Sequence, residues 1–576
     1  MITLPPPVPT RNFSDFQERL EPQWLEQRFA SILDRIEQAA GDTDAIVDAL
    51  WEFNGLSRHV RTHVVRANLE FRLHSTDAGI AAENRRHSVE VMPVMSAARR
   101  RLAGMVGDAV DPEALAEHFP AHWFRKLALQ ATAGSDATAR LQGQIEDHVM
   151  AYTSTVAAGR FEYEGSSRPL SHARRAAIDP DDTLRRDAFH SYIEWWEQAA
   201  PTLQDAFDGV LEARQEVAQL LGMPGYAPVR YADLGRLDWS PAEAGRFRDA
   251  VAEHLMPLAL RIRRAQAKEL GSIRVHPSDS GYFPGSSIPD LRVRPEDELE
   301  AASRAFHRLD PKLGRMIDQT IADGRADVLT RDGKAPGAYV ATFHDQGLPF
   351  VYLNNVGIGR DVKTLVHEFG HAFQTLLSAP IELVDLRKPT LEACEVHSMT
   401  LEMLTLPHVD ELLHEDDLER YRYDLLAQGV LHTGMSSALD AFQHLLYRED
   451  GSWPDRDERA DAWRGLAEVF LPGIDHDATP WWSANRWLTT RHVFLFPFYY
   501  LDYALAQVVA WQFLPLMEAD PEAAMERYLG ICRAGGTAPF TELVEQAGLA
   551  NPFDPETVAR VAADLATRLD LVGAPA

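Results

Sequence analysis

From about Phe13 to Ala158 apolar residues recur at three- and four-residue steps, as in "PQWLEQRFASILDRIEQAA" and "DAIVDALWEFNGLSRHVRTHVVRANLEF". That period lays an apolar stripe along an α-helix, and the two-residue alternation of a half-buried strand is nearly absent there. The stretch "AAGRFEYEGSSRPLSHARRAAIDPDDTLRRDAF" breaks the pattern with glycine, serine and proline. It predicts a boundary with a short extended segment at "RFEYEG". A second helical series follows, through "HSYIEWWEQAAPTLQDAFDGVLEARQEVAQLLG" and "AEAGRFRDAVAEHLMPLALRIRRAQAKELG". The texture changes at "GAYVATFHDQGLPFVYLNN", where two aromatic and β-branched runs flank "HDQG" and predict a hairpin.

Next comes "DVKTLVHEFGHAFQTLL", an apolar helical pattern expected over 361–378 with Asp361 as its cap, interrupted by His367, Glu368 and His371. Two imidazoles four residues apart on a helix lie one above the other and can grip one metal ion. The preceding "VGIGRDVKT" lacks the order of a phosphate-binding loop and predicts only a flexible turn. A further helix, expected over about 390–405 in "PTLEACEVHSMTLEML", carries Glu392, Glu395 and Glu402 on one face with Met399. Carboxylates on so apolar a helix need partners, and a dication would supply one. His397 is a rival ligand, but it lies about 200° around the helix from Glu395, so both cannot reach the same ion.

A chain of 576 residues exceeds what one compact core holds, so at least two lobes are expected. The 57 basic and 86 acidic residues give a net charge of -29, which disfavours nucleic acid and anionic membrane surfaces as partners. Two cysteines, Cys394 and Cys532, exclude a disulfide framework and a cysteine-rich zinc finger. With no basic and apolar leader in "MITLPPPVPTRNFSDFQERL", they predict a cytoplasmic protein. The apolar run Val493 to Met517 contains Pro497, Asp502, Gln507 and Gln512, and so reads as a buried helix, about 493–515, and not as a membrane span.

The block "KAPGAYVATFHDQGLPFVYLNN…DVKTLVHEFGHAFQTLL…PTLEACEVHSMTLEML" closely resembles the thimet oligopeptidase and oligoendopeptidase F family of zinc metallopeptidases. The likeness runs more weakly from about Arg175 to Gly548. It implies a mainly α, zincin-like metallopeptidase with a deep substrate channel and a small β-sheet beside the zinc helix. Residues 1–174 would form an N-terminal helical lobe and 175–576 the catalytic region. By this resemblance His367, His371 and Glu395, 24 residues after His371, hold one zinc ion per chain, and Glu368 is the general base. Glu402 would support a ligand, and Gly370 would let another backbone approach. From "RHVFLFPFYYLDY", Tyr503, Tyr500 and His492 are the residues expected to stabilise the oxyanion, with Tyr499 as readily a core residue. The strand "LPFVYL" is expected at a sheet edge, where it would pair with an extended substrate.

The function implied is hydrolysis of internal bonds in short unstructured peptides, with no nucleic-acid or membrane partner. The alternative is a zinc carboxypeptidase or other exopeptidase of related helical fold, which would need a charged group to hold a free substrate terminus. A non-catalytic peptide-binding protein is disfavoured by the presence of His367, Glu368, His371 and Glu395 together.

Overall fold

The computed structural model describes residues 4–8, 12–39, 41–283 and 291–571; part of the amino-terminal stretch read for a leader lies outside them. Helices dominate, as the periodicity predicts. The longest are Thr43–Leu73 and Asp182–Leu220, and each begins at an aspartate, Asp42 or Asp181, whose carboxylate accepts hydrogen bonds from the first-turn backbone N–H groups. The glycine- and serine-rich stretch contains the expected extended segment, β1 (Arg160–Tyr163), and pairs it with a second strand, β2 (Ser166–Pro169), in a small antiparallel ribbon.

A second sheet contains β3 (Ala326–Leu329), β4 (Tyr339–Phe343) and β5 (Leu348–Asn355) in the order β3-β5-β4. β4 and β5 form the predicted hairpin, with Phe343 opposite Leu348. The expected edge strand "LPFVYL" is instead the central strand. β3 pairs in parallel with its other side, and the four-residue "ADVL" is too short to have announced itself in the sequence. The edge strands are β3 and β4.

Two large apolar cores result. One draws on residues between Phe13 and Leu127, the other on residues between Leu141 and Leu569. The exception is Leu383 and Leu386, which leave the second region to pack in the first core. Their segment is bolted to the helix Thr43–Leu73, where Asn54 donates to the Glu382 carbonyl at 3.0 Å and accepts from Val384 N–H at 2.8 Å. Asp385 adds ion pairs to Arg99, at 2.7 Å, and to Arg61, and accepts from the Trp123 indole at 3.0 Å. Buried carboxylates are stable only with such company.

β5 leads directly into the histidine helix, Gly359–Ser378. It starts two residues before the expected position, so Asp361 is not its N-cap. The Asp361 carboxylate reaches back from the first turn to the N–H groups of Val356 and Gly357, both at 2.7 Å, and Ile358 at 3.1 Å. These donors precede the helix, so the carboxylate ties the chain leaving β5 to the first turn, as the inner residue of a capping box does. Val362, Leu365, Val366, Phe369, Ala372 and Phe373 form the helix's buried stripe, Phe369 and Phe373 meeting Phe306 at ring distances of 5.6 and 5.2 Å. The opposite stripe carries the two histidines.

The glutamate helix, Leu391–Thr405, is buried at every residue from Glu392 onward. The C-terminal apolar run is not one helix. It breaks into Arg491–Leu495, Tyr500–Trp511 and Phe513–Ala519, because Pro497 cannot donate within a helix and Phe498 turns into the left-handed region at φ 61°. That conformation is costly for a bulky residue. It is held by Gln443, which accepts from Phe498 N–H at 2.8 Å, and by Arg236, which donates to the Phe498 carbonyl at 2.7 Å. Arg236 also pairs with fully buried Asp502 at 2.6 Å. Among the described residues no helix is long and apolar enough to cross a membrane.

Gly370 sits where the histidine and glutamate helices meet. A β-carbon there would lie 2.6 Å from Ser398 Cα and 2.8 Å from the His397 carbonyl oxygen, both backbone atoms. Neither can swing aside as a side-chain tip could. Gly370→Ala should therefore push the helices apart, lower stability by about 1–3 kcal/mol as other overpacked cores do, and reduce metal uptake. Thermal unfolding and metal analysis of the same preparation check this; an unchanged melting temperature would contradict it.

Candidate metal centre

The histidine helix places His367 and His371 one turn apart, with ring centroids 5.0 Å from each other. The glutamate helix brings Glu395 against them, its Oε2 3.3 Å from His367 Nε2 and 3.8 Å from His371 Nε2. One donor atom from each of the three residues falls within 4.8 Å of the others, the only such group among the described residues. Two imidazole nitrogens and a carboxylate oxygen are a donor set suited to zinc and similar divalent ions.

Groups behind these donors orient them. Glu402 accepts from His367 Nδ1 at 2.7 Å, so that Nε2, on giving up its own proton, would direct a lone pair at the centre. Lys363 lies 3.6 Å from the other Glu402 oxygen. Glu395 accepts from the Tyr499 hydroxyl at 3.0 Å and from the Ser398 hydroxyl at 3.3 Å. Burial opposes charge on both partners of the contact between His367 and Glu395, yet their hydrogen bond prevails. Together with the Glu402 contact it holds the His367 imidazolium up to about 10, and Glu395 is held down at about 2. The site is built to accept positive charge. Burial pushes His371 down to about 3, keeping it neutral and able to ligate.

Glu368 faces the same space without joining the donors. Its Oε2 is buried and has no hydrogen-bond partner, and burial raises the carboxyl to about 7. His367, Glu368, His371 and Glu395 line one cavity of about 590 Å³ with Tyr499, Tyr503 and residues Ala338 to Thr342 along edge strand β4. Asn68 and Asn84 from the amino-terminal helices line it as well.

Of the aromatic residues considered, Tyr499 and Tyr503 thus face the cavity. Tyr500 does not line it: its hydroxyl lies 3.3 Å from His432 Nε2, and His492 packs edge-on against the Tyr500 ring at 4.9 Å. Glu392 turns away and accepts from the Trp239 indole at 3.0 Å. His397 is buried outside the donor group. Sequence reasoning gave no role to His432, whose surroundings in "AQGVLHTGM" carry no motif, or to Ser398 and Lys363. The one available signal for Tyr499 was its place beside Tyr500 in the aromatic run.

A mainly helical molecule with a small sheet, a paired-histidine helix and a buried glutamate helix defines a class of metal-binding hydrolase folds. The profile of peptidase family M3 matches residues 177–562, and the chain belongs to that family. Over 398 residues it is 19% identical to the oligopeptidase PepF of Bacillus subtilis (strain 168), a match that covers 67% of this chain but only 57% of that protein. The solved structure of Pz peptidase A with inhibitor 2 is similar with a TM-score of 0.89 at 26% identity, over 98% of this chain and 100% of that one. A protein provisionally named oligoendopeptidase F, solved at 3.1 Å, gives 0.88 at 26% identity over 96% and 98% of the two chains.

Because Glu402 holds His367 through Nδ1, Glu402→Ala should weaken affinity for a divalent metal ion by roughly 10- to 100-fold, the usual loss when such a partner is removed. Titration against a competing chelator measures it. Affinity equal to that of the unmodified protein would contradict the arrangement.

Proposed function

We propose that this protein is a zinc-dependent endopeptidase that hydrolyses internal bonds of short, unstructured peptides. The observation that carries the reading is the convergence of His367, His371 and Glu395 beside a buried carboxylate, Glu368, in one cavity walled by a free strand edge. Held by those three donors, zinc would supply the positive charge that makes water nucleophilic at neutral pH and polarises the scissile carbonyl.

Each residue then has a task. Glu368, with an unpartnered oxygen and a carboxyl raised by burial to about 7, is poised to take the proton of the attacking water and pass it to the leaving amine. Burial raises both Tyr499 and Tyr503, so both phenols stay protonated as donors. The Tyr499 hydroxyl is committed to Glu395. Tyr503 is therefore the phenol assigned to the oxyanion that develops on the substrate carbonyl. Tyr500 and His492 pack together beside Tyr503 and support its position.

The backbone of β4 can pair with an extended peptide, giving recognition that tolerates many sequences. The cavity is walled by β4 on one side and by Asn68 and Asn84 of the amino-terminal helices, a concave site that favours unstructured chains over folded domains.

Glu368→Gln should retain close to one zinc per chain while turnover of blocked peptides collapses, since an amide cannot accept the proton. In the same experiment Tyr503→Phe should lower kcat roughly a hundredfold, with a much smaller change in KM. Peptides blocked at both ends make the assay a test of internal cleavage. If Glu368→Gln lost its zinc, or if only peptides with a free terminus were cut, the assignment would fail.

A further inference from the structure

The segment that joins the histidine and glutamate helices brings two adjacent cations, Arg387 and Lys388, into the same cavity as His371 and Glu368. Arg387 is buried and gives Nε–H to the Ile381 carbonyl and an Nη1–H to the His344 carbonyl, both at 2.7 Å. Those bonds fix its fork, but they are to neutral groups. Buried Arg185 and Arg236 by contrast reach carboxylates, Asp279 at 2.7 Å and Asp502 at 2.6 Å. Arg214 and Arg263 also bond only to neutral groups, but neither lines this cavity.

Lys388 is exposed and makes no ion pair or hydrogen bond in the structure. Its charge nevertheless acts on Glu368, His371, His344 and Cys394. Burial of Arg387 lowers its guanidinium to about 10, the nearby charge of Arg58 adds to the shift, and Asp345, a carboxylate already paired with Arg58 and His59, offsets part of it.

The carboxylates lining the cavity are Glu368 and Glu395. On the peptidase reading, on which this inference rests, Glu395 serves the metal and Glu368 the attacking water. No carboxylate of the lining is then left for the buried Arg387 or for the exposed Lys388 beside it. A buried charge without a counter-ion is costly, and a ligand that brings one gains accordingly.

We propose that Arg387 and Lys388 form a carboxylate-binding subsite beside the catalytic centre, through which the enzyme prefers peptides carrying an acidic group near the bond that is cut. With Nε and Nη1 held by the two carbonyls, Arg387 has its Nη2 group to donate to a carboxylate, and Lys388 adds a mobile point charge. The carboxylate can come from two sources, the C-terminus of a short peptide or an aspartate or glutamate side chain. Binding of either kind raises affinity for the peptide without taking part in bond cleavage.

The segment is suited to hold such a subsite steadily. Asp385, two residues before Arg387, is tied to Arg61, Arg99 and Trp123 of the amino-terminal helices, while Glu392 and Glu395 follow on the buried glutamate helix. Lys388, by contrast, bonds to nothing, so its replacement leaves this framework intact.

One unstructured peptide that the enzyme cleaves is prepared with a free or an amidated C-terminus, and with Glu or Gln at each position flanking the cut. Each version is assayed with the wild-type chain, Lys388→Met and Lys388→Arg. In at least one pair the wild type should show kcat/KM roughly tenfold higher for the carboxylate member, through KM, as expected for a charge-assisted hydrogen bond. Lys388→Met should reduce that difference severalfold, whatever it does to the neutral member's rate, and Lys388→Arg should restore it. A preference confined to the free C-terminus assigns the subsite to peptide termini, and one confined to Glu assigns it to acidic side chains. Equal rates within every pair, or an equal loss for both members in Lys388→Met, would overturn the proposal. Failure to cleave any peptide would instead bring down the peptidase reading, and this inference with it.

Discussion

The contact between two helices at Gly370 is the constraint on which the site depends. Without a side chain at that position, the backbone of Ser398 approaches the histidine helix closely enough to occupy the space of a β-carbon. Glu395 and Glu402 are then carried to opposite edges of the same imidazole, His367, one at Nε2 and the other at Nδ1. A glycine in a helix interior costs about 1 kcal/mol relative to alanine. Here that cost is offset by a crossing tight enough to let one helix supply both a donor and the group that orients another.

Such a crossing puts charged groups deep inside the molecule, and the fold meets those of the glutamate helix with partners. The glutamate helix is buried on all sides, yet Glu392 meets Trp239, Glu395 meets Tyr499 and Ser398, and Glu402 meets His367. Glu368 keeps one oxygen unsatisfied. The segment between the two helices is clamped through Asn54 and Asp385 to the amino-terminal core, which lets that core and the sheet edge share one cavity. The position of the metal donors thus depends on residues hundreds of positions away in the chain.

Local signals made the helices legible. The three- and four-residue apolar period survives in the structure because each helix buries one stripe, and the hairpin about "HDQG" is visible because its strands are β-branched and aromatic. What the sequence concealed depends on distant partners. β5 became central because the short β3, separated from it by the hairpin and its approach, pairs along its far side. The C-terminal run broke at Phe498 because Arg236 and Gln443 hold a backbone conformation that no local propensity favours. Asp361 caps from inside the first turn because the helix begins earlier than its own apolar pattern. Tyr499, which sequence left between core and site, acquires its contact from Glu395 more than a hundred residues earlier, and Arg387 and Lys388 lie in a segment with no motif at all.

Anomalous diffraction at the zinc absorption edge, from crystals of the protein grown with the metal, tests the central claim most directly. The account predicts one strong peak per chain, coordinated by His367 Nε2, His371 Nε2 and the Glu395 carboxylate, with Glu402 still bonded to His367 Nδ1. A peak ligated by His397 or Glu392, or no peak between the histidine and glutamate helices, would contradict it.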